Sequence, residues 1–246
     1  MSKKIVIDPG HGGYDPGAEG YGLQEKNVNL DIALKLREKL ANYADITMTR
    51  ASDIFVSLSE RAAIANRIGA DYFIGIHVNA GGGTGFESYT YTKSLAESER
   101  IRSIMHQYVA AFYLTNGFPD RGIKKADFAV LRDTNMPAVL LENLFIDTQA
   151  DSNKLKDPVF RANAAGVIGD GVIKALNLQG QDQSSDPMPA PRPSPLPDPP
   201  SHWAAPDFRR LQEAGLVNSP HDLDSTVTWG EMSAVLARLL DKLKLR

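Results

Sequence analysis

The chain of 246 residues contains no cysteine. Disulfides, thiolate metal sites and cysteine nucleophiles are excluded, and any metal site must draw on His, Asp and Glu. No charge of one sign dominates: 27 Lys and Arg face 30 Asp and Glu, for a formal net charge of −3. Such a balance offers no basic field to a polyphosphate, so nucleic acid is not expected as a partner. Long apolar runs are missing too. No stretch approaches the roughly 20 apolar residues of a membrane span, so no membrane insertion is expected. The run Ile5-Val6-Ile7 is too short for the core of a signal peptide, and the chain is expected to be cytoplasmic on synthesis. What remains, with 42% hydrophobic and 23% charged residues, is the composition of a globular protein.

Proline is unevenly spread. Eight of the 15 prolines fall between Pro187 and Pro200. Residues 179–200 are expected to form an extended, semi-rigid linker between a body, 1–178, and a tail, 201–246. In the body, strand and helix signals alternate. Lys4–Asp8 is a short apolar run stopped by Pro9-Gly10. Val28, Ile32, Leu36 and Leu40 recur every four residues and predict a helix from Lys26 to about Asn42. Asp45–Arg50 reads as a strand, and Ser57-Leu58-Ser59-Glu60 as a capping box opening a helix. Tyr72–Val78 and Ala138–Leu141 read as strands buried on both faces. Gly85–Tyr91 and Asp127–Leu131 are further strand candidates. Leu95, Ile101, Met105, Tyr108 and Phe112 fit one face of a long helix, and Asp157-Pro158 opens another. The alternation predicts an α/β fold: an open, mostly parallel twisted sheet with helices on both faces. The tail, with capping box Thr228-Trp229-Gly230-Glu231, predicts a small all-α C-terminal domain.

Sites in open α/β sheets form outside the carboxyl ends of the strands. Three separate strands carry chemistry there: His11 follows the first, His77 lies at the end of Tyr72–Val78, and Glu142 is the first charge after Val139-Leu140-Leu141. Glu25, just before the first helix, reaches the same edge. Two imidazoles and a carboxylate make the His₂Glu set of hydrolytic zinc enzymes, with one carboxylate left over as a base. Each residue also has a purely structural reading. His11 could cap a turn, His77 could be a satisfied core histidine, Glu25 could favour a helix N-terminus, and Glu142 could pair with Arg50 or Arg61. Asp8 and Asn79 are placed to orient the histidines by hydrogen bonds, or to serve in turns and caps. Arg121, Lys124 and Lys125 make a small basic patch that could meet an acidic polymer but reads most simply as a solvated face. No His-Glu-x-x-His motif occurs.

The segment Ile5-Val-Ile-Asp-Pro-Gly-His-Gly-Gly-Tyr-Asp-Pro-Gly-Ala18 resembles the opening motif of the zinc-dependent N-acetylmuramoyl-L-alanine amidases of the Amidase_3 family. The resemblance continues in order through Gln24-Glu25-Lys26-Asn27, Leu58…Arg61…Ala65-Asn66, Ile76-His77-Val78-Asn79-Ala80 and Pro137-Ala-Val-Leu-Leu-Glu142. It implies a phosphorylase/hydrolase-like fold, Zn²⁺ held by His11, Glu25 and His77, and Glu142 as the catalytic carboxylate. The implied substrate is peptidoglycan, cut between N-acetylmuramic acid and L-alanine. One departure stands out: the family usually has Glu-x-Gly-Phe around the catalytic glutamate, and this chain has Glu142-Asn143-Leu144-Phe145.

The tail, from Trp203-Ala204 through Gly215-Leu216 to Trp229-Gly230-Glu231 and Leu239, is similar to a single S-layer-homology motif. That resemblance implies a secondary cell-wall polymer as a partner for residues 201–246. Its apolar stripe also suits homo-oligomer formation through the tail. A wall hydrolase without a signal peptide resembles phage endolysins, which act on the wall after release. The alternatives are a mother-cell sporulation lysin and a non-catalytic cell-wall-binding module on an amidase-like fold.

Overall fold

β-branched Ile5, Val6 and Ile7, stopped by Pro9-Gly10, form the first strand of a computed structural model that describes residues 2–180. The elements are β1 (Lys4–Pro9), β2 (Glu19–Gly20), β3 (Leu23–Gln24), α1 (Glu25–Leu40), β4 (Asp45–Met48), α2 (Leu58–Arg67), β5 (Tyr72–Asn79) and β6 (Phe86–Tyr91). They continue with α3 (Ala96–Thr115), β7 (Asp120–Ala126), α4 (Ala129–Arg132), β8 (Ala138–Phe145), α5 (Gln149–Lys156) and α6 (Pro158–Leu176). The linker beyond residue 180 and the tail 201–246 lie outside the described residues. Among the described residues, no helix is long and apolar enough to cross a membrane.

The main sheet runs β4-β1-β5-β8-β6-β7. Strands β4, β1, β5 and β8 are parallel to one another. β6 reverses direction against β8, and β7 runs parallel to β6. This is the mostly parallel sheet expected, with helices on both faces. One face carries the larger core, in which Ile7, Ile74, Ile76 and Leu141 pack with Leu36 of α1, Met105 of α3 and Ile168 of α6. The other face is thinner: Val6, Phe73 and Leu140 pack with Ala65 of α2 and with Val130 and Leu131 of α4. The caps follow the sequence. Ser57 accepts from Glu60 N–H at the start of α2, and Asp157 accepts from Val159 N–H at the start of α6.

Two expectations fail for physical reasons. Asp127–Leu131 is not a strand; most of it belongs to the turn into α4 and to that helix, whose Val130 and Leu131 cover the thin face. A short apolar run cannot by itself separate strand from buried helix. The strand in this region is instead β7, whose sequence Asp-Arg-Gly-Ile-Lys-Lys-Ala hides it. It is an edge strand, and edges carry charge where central strands carry apolar runs. α5 also lacked a readable apolar period.

Leu144 stands in a bulge. Between the pairs His77–Glu142 and Asn79–Phe145, β8 carries one residue more than β5. Leu144 takes φ 69°, the left-handed region that a glycine enters without strain, and its side chain is fully buried in the larger core. The left-handed backbone costs about 1–2 kcal/mol for an L-residue. Removing a buried leucine side chain costs about 2–5 kcal/mol. Burial wins, so Leu144→Gly should destabilise the fold by about 1–3 kcal/mol despite relieving the strain. Urea unfolding of the two proteins checks the sign; a more stable variant would show that strain dominates.

Candidate active site

The carboxyl ends of β1, β5 and β8 meet at one rim of the sheet, and the loop after β1 supplies the first functional group. His11 takes φ 61°, so the chain turns sharply as it leaves the strand. Two buried arginines hold that turn. Arg61 donates to the carbonyls of Pro9 (2.7 Å) and His11 (2.7 Å). Arg50 donates to those of Pro9 (3.0 Å) and Gly10 (2.8 Å). Neither arginine pairs with Glu142. Arg61 pairs with Asp8 at 2.7 Å, both side chains being essentially excluded from solvent.

Glu25 opens α1 and is buried. Its Oε2 lies 3.1 Å from His11 Nε2 and accepts from Ala18 N–H at 3.0 Å. Its Oε1 lies 3.0 Å from His77 Nδ1 and accepts from Val78 N–H (3.3 Å) and Asn29 Nδ2 (3.1 Å). Among the described residues, His11, Glu25 and His77 form the one group able to hold a metal ion, with their ligand atoms within 4.8 Å of one another. Glu142 stands level with His77 in the β5–β8 register and shares its cavity of about 500 Å³, which Phe55, Leu58 and Phe128 also line.

The electrostatics follow from this packing. The hydrogen bond to Glu25, with a further one to Asp15, raises the His11 imidazole to about 9 against the opposing effect of burial. Burial alone would push Glu25 upward, but hydrogen bonds to His11 and His77 hold its carboxyl well below the usual range. Burial likewise opposes charge on His77, and contact with Glu25 overcomes it and raises the group. Glu142 has no such partner. Burial pushes it up to about 7, the Glu25 and Glu87 carboxylates add to the rise, and the two histidines oppose it. Its Oε2 is buried without any hydrogen-bond partner.

The structure thus brings His11, Glu25, His77 and Glu142 together. The sequence allowed Asp8 and Asn79 two roles, orienting the histidines or serving in turns and caps; among the described residues, neither side chain hydrogen-bonds to His11 or His77. Asp8 binds Arg61 and Thr49, and Asn79 donates to Glu87 at 3.2 Å. The residue that orients His11 is Asp15, whose carboxylate lies 2.9 Å from His11 Nδ1 and leaves Nε2 facing Glu25. Its spacing, four residues after a histidine in a glycine-rich loop, was the available signal. Asn29, one helical turn after Glu25, was also missed.

Two histidines and two carboxylates of opposite character thus meet at one rim of the sheet. The family described as Amidase_3, N-acetylmuramoyl-L-alanine amidase, matches residues 5–174. The chain belongs to this family and is an N-acetylmuramoyl-L-alanine amidase, a hydrolase of the amide joining peptide to glycan in peptidoglycan. It is 50% identical over 179 residues to the sporulation-specific N-acetylmuramoyl-L-alanine amidase of Bacillus subtilis, covering 72% of this chain and 69% of the relative. It is 40% identical over 192 residues to the endolysin of Bacillus phage SPP1, covering 76% and 71%. Among solved structures, the catalytic domain of the amidase CwlV from Bacillus (Paenibacillus) polymyxa var. colistinus matches with a TM-score of 0.67 at 35% identity. That match covers 72% of this chain and 99% of the other.

Gly10 gives this geometry a sharp test. A Cβ built there would lie 2.1 Å from His77 Cε1, so the imidazole occupies the space that a side chain would need. Gly10→Ala should push the ring out of line and weaken divalent-metal affinity about 10–100-fold with the fold intact. Titration with a metal-sensitive dye checks this; unchanged affinity would show that His77 does not need its present position.

Proposed function

We propose that His11, Glu25 and His77 hold a zinc ion and that Glu142 carries the proton during amide hydrolysis. The observation that carries this reading is the unpartnered, buried Glu142 Oε2 beside a His/Glu/His cluster. The donor set fits the metal: borderline nitrogen and hard oxygen ligands, the histidine nitrogens already aimed at one carboxylate, and Asp15 fixing the tautomer of His11. One ligand atom from each of the three residues lies within 4.8 Å of the others, near enough to share one ion. When bound, zinc supplies Lewis acidity and lowers the pKa of its water to about 7.

The chain supplies the rest. Glu142, poised at about 7, is ionised often enough near neutrality for its carboxylate to accept a proton from the attacking water. The same carboxyl group then returns the proton to the nitrogen of the departing alanine, which is a poor leaving group without it. Phe55, Leu58 and Phe128 line the cavity with apolar surface.

Purified cell walls should lose turbidity with new L-alanine amino ends, stop on chelation and resume with zinc. Glu142→Gln should retain stoichiometric zinc and lose about 10²–10⁴-fold in turnover. New reducing sugar ends, or full activity in metal-stripped protein, would sink the proposal.

Metal uptake should also depend on pH. In the metal-free protein His11 sits at about 9 and is protonated at pH 7, yet it must be neutral to ligate. Binding at pH 7 therefore expels at least one proton. Apparent affinity should climb at least about tenfold per pH unit between pH 7 and 9, then flatten. Calorimetry in buffers of different ionisation heat counts the protons; no release at pH 7 would contradict the pairing.

Two cellular roles share this chemistry. The sporulation-specific relative, at 50% identity, supports a mother-cell lysin. The SPP1 endolysin, at 40%, supports the phage-lysis role expected from the sequence.

A further inference from the structure

A second acidic residue shares the face with Glu142 and does none of the work above. β6 is antiparallel to β8, and Glu87 stands directly opposite Glu142 in the register, so the two side chains leave the same side of the sheet. Glu87 is 1% exposed. Its Oε1 accepts from Arg121 Nε and from Lys124 Nζ at 2.6 Å. Its Oε2 accepts from Asn79 Nδ2 at 3.2 Å and from the Tyr89 hydroxyl. Four donors fill the acceptor capacity of a carboxylate.

The cations are not filled in return. Among the described residues, the two terminal nitrogens of Arg121 make no hydrogen bond, and Lys124 Nζ makes only the one to Glu87. Both side chains stay open to solvent, at 37% and 36% exposure. Two positive charges on one carboxylate leave a surplus of one. Arg121 is also held in place, its Nε on Glu87 and its guanidinium 4.8 Å from the centre of the Phe145 ring. A rigid guanidinium with free terminal N–H groups is suited to a carboxylate.

We propose that Arg121, seconded by Lys124, receives a carboxylate of the stem peptide on the leaving-group side of the scissile amide. The proposal rests on reading Glu142 as the reacting centre, and strand order gives it a direction. β1 and the His11 loop flank that centre on one side, and β6 and β7 flank it on the other. On the His11 side, exposed Tyr14 stacks on Phe55 at 4.2 Å between ring centroids, and Phe55 lines the cavity. A flat exposed aromatic suits the apolar face of a sugar. The substrate has the same polarity: an uncharged sugar acyl group on one side of the amide, an acidic peptide on the other. Glycan over the β1 side and peptide over the β6–β7 side match surface to substrate.

The test uses full-length zinc-loaded protein and two soluble muropeptides that differ only at the residue after alanine, one with a free α-carboxylate and one with the carboxamide. The wild type should prefer the carboxylate form about tenfold in kcat/KM, mainly through KM, and the preference should shrink with added salt. Arg121→Ala should bring the ratio near one, and Arg121→Lys should restore part of it. Equal turnover of both substrates by the wild type overturns the proposal without need of any variant. So does an Arg121→Ala enzyme, folded by its thermal melt, that keeps the preference. Glu142→Gln run in parallel reports on the centre itself: if it still turns over both substrates, the reading of Glu142 fails, whereas the ratio reports on Arg121 alone.

Discussion

Glu25 sets the terms for the rest of the rim. Its carboxylate is 4% exposed, and an ion so buried is tolerated only where positive or hydrogen-bonding groups surround it. Every neighbouring residue is constrained by that need. Backbone N–H groups of Ala18 and Val78 point at it from two different loops and strands, and Asn29 reaches it from the next turn of its own helix. Gly17 has to be small, because a Cβ there would lie 2.6 Å from Glu25 Oε2 and 2.7 Å from His11 Cδ2. The two imidazoles complete the shell. The side chain that a metal would use is therefore held in place before any metal arrives, and the ordering cost falls on folding rather than on binding.

The loop that carries His11 could not keep this shape unaided. Its carbonyls leave the β1 ladder just where the strand ends, and buried carbonyls need donors. Arg50 and Arg61 supply them from two separate segments, and each guanidinium bridges several carbonyls at once. Arg61 brings its own burden, since it must stay paired with Asp8 in a dry environment, and breaking such a pair typically costs about 3–5 kcal/mol. Two arginines and one aspartate are thus committed to backbone shape rather than to chemistry. That commitment accounts for Glu142 being free: the guanidinium groups that might have neutralised it already donate to backbone carbonyls and, for Arg61, to Asp8.

The sequence was legible where burial writes a pattern. Five strands of the main sheet and the four longest helices carry apolar runs or four-residue repeats, because each buries a face. The strands that place His11, His77 and Glu142 are among them, and so the rim could be read as a meeting point. β7 escaped notice because an edge strand shows its charges, and α4 was misread because five residues cannot reveal a period. Asp15 and Asn29 were missed for another reason. Their role lies in where a left-handed turn and one helical turn deliver them, and neither position is marked by residue type. Asp8 and Asn79 attracted attention by sequence proximity to the histidines, yet their hydrogen bonds go to Arg61 and Glu87 instead.

Glu87 and Glu142 show how one sheet can hold the same side chain in two states. They occupy facing positions on adjacent strands, on one face. What differs is what lies beyond them. β6 borders the edge strand, whose exposed position admits Arg121 and Lys124, and these cations, with the hydroxyl of Tyr89, overcome burial and hold Glu87 below the usual range. β8 is a central strand with β5 on its far side, and the groups next to Glu142 are histidines already engaged by Glu25. No donor is left for its second oxygen. Burial then acts on Glu142 unopposed by any hydrogen bond and lifts it toward neutrality. The reversal of strand direction after β8 is what brings a charged edge within one strand of the rim. It separates an ionised anchor from a carboxyl free to exchange its proton, and no difference in residue type is required.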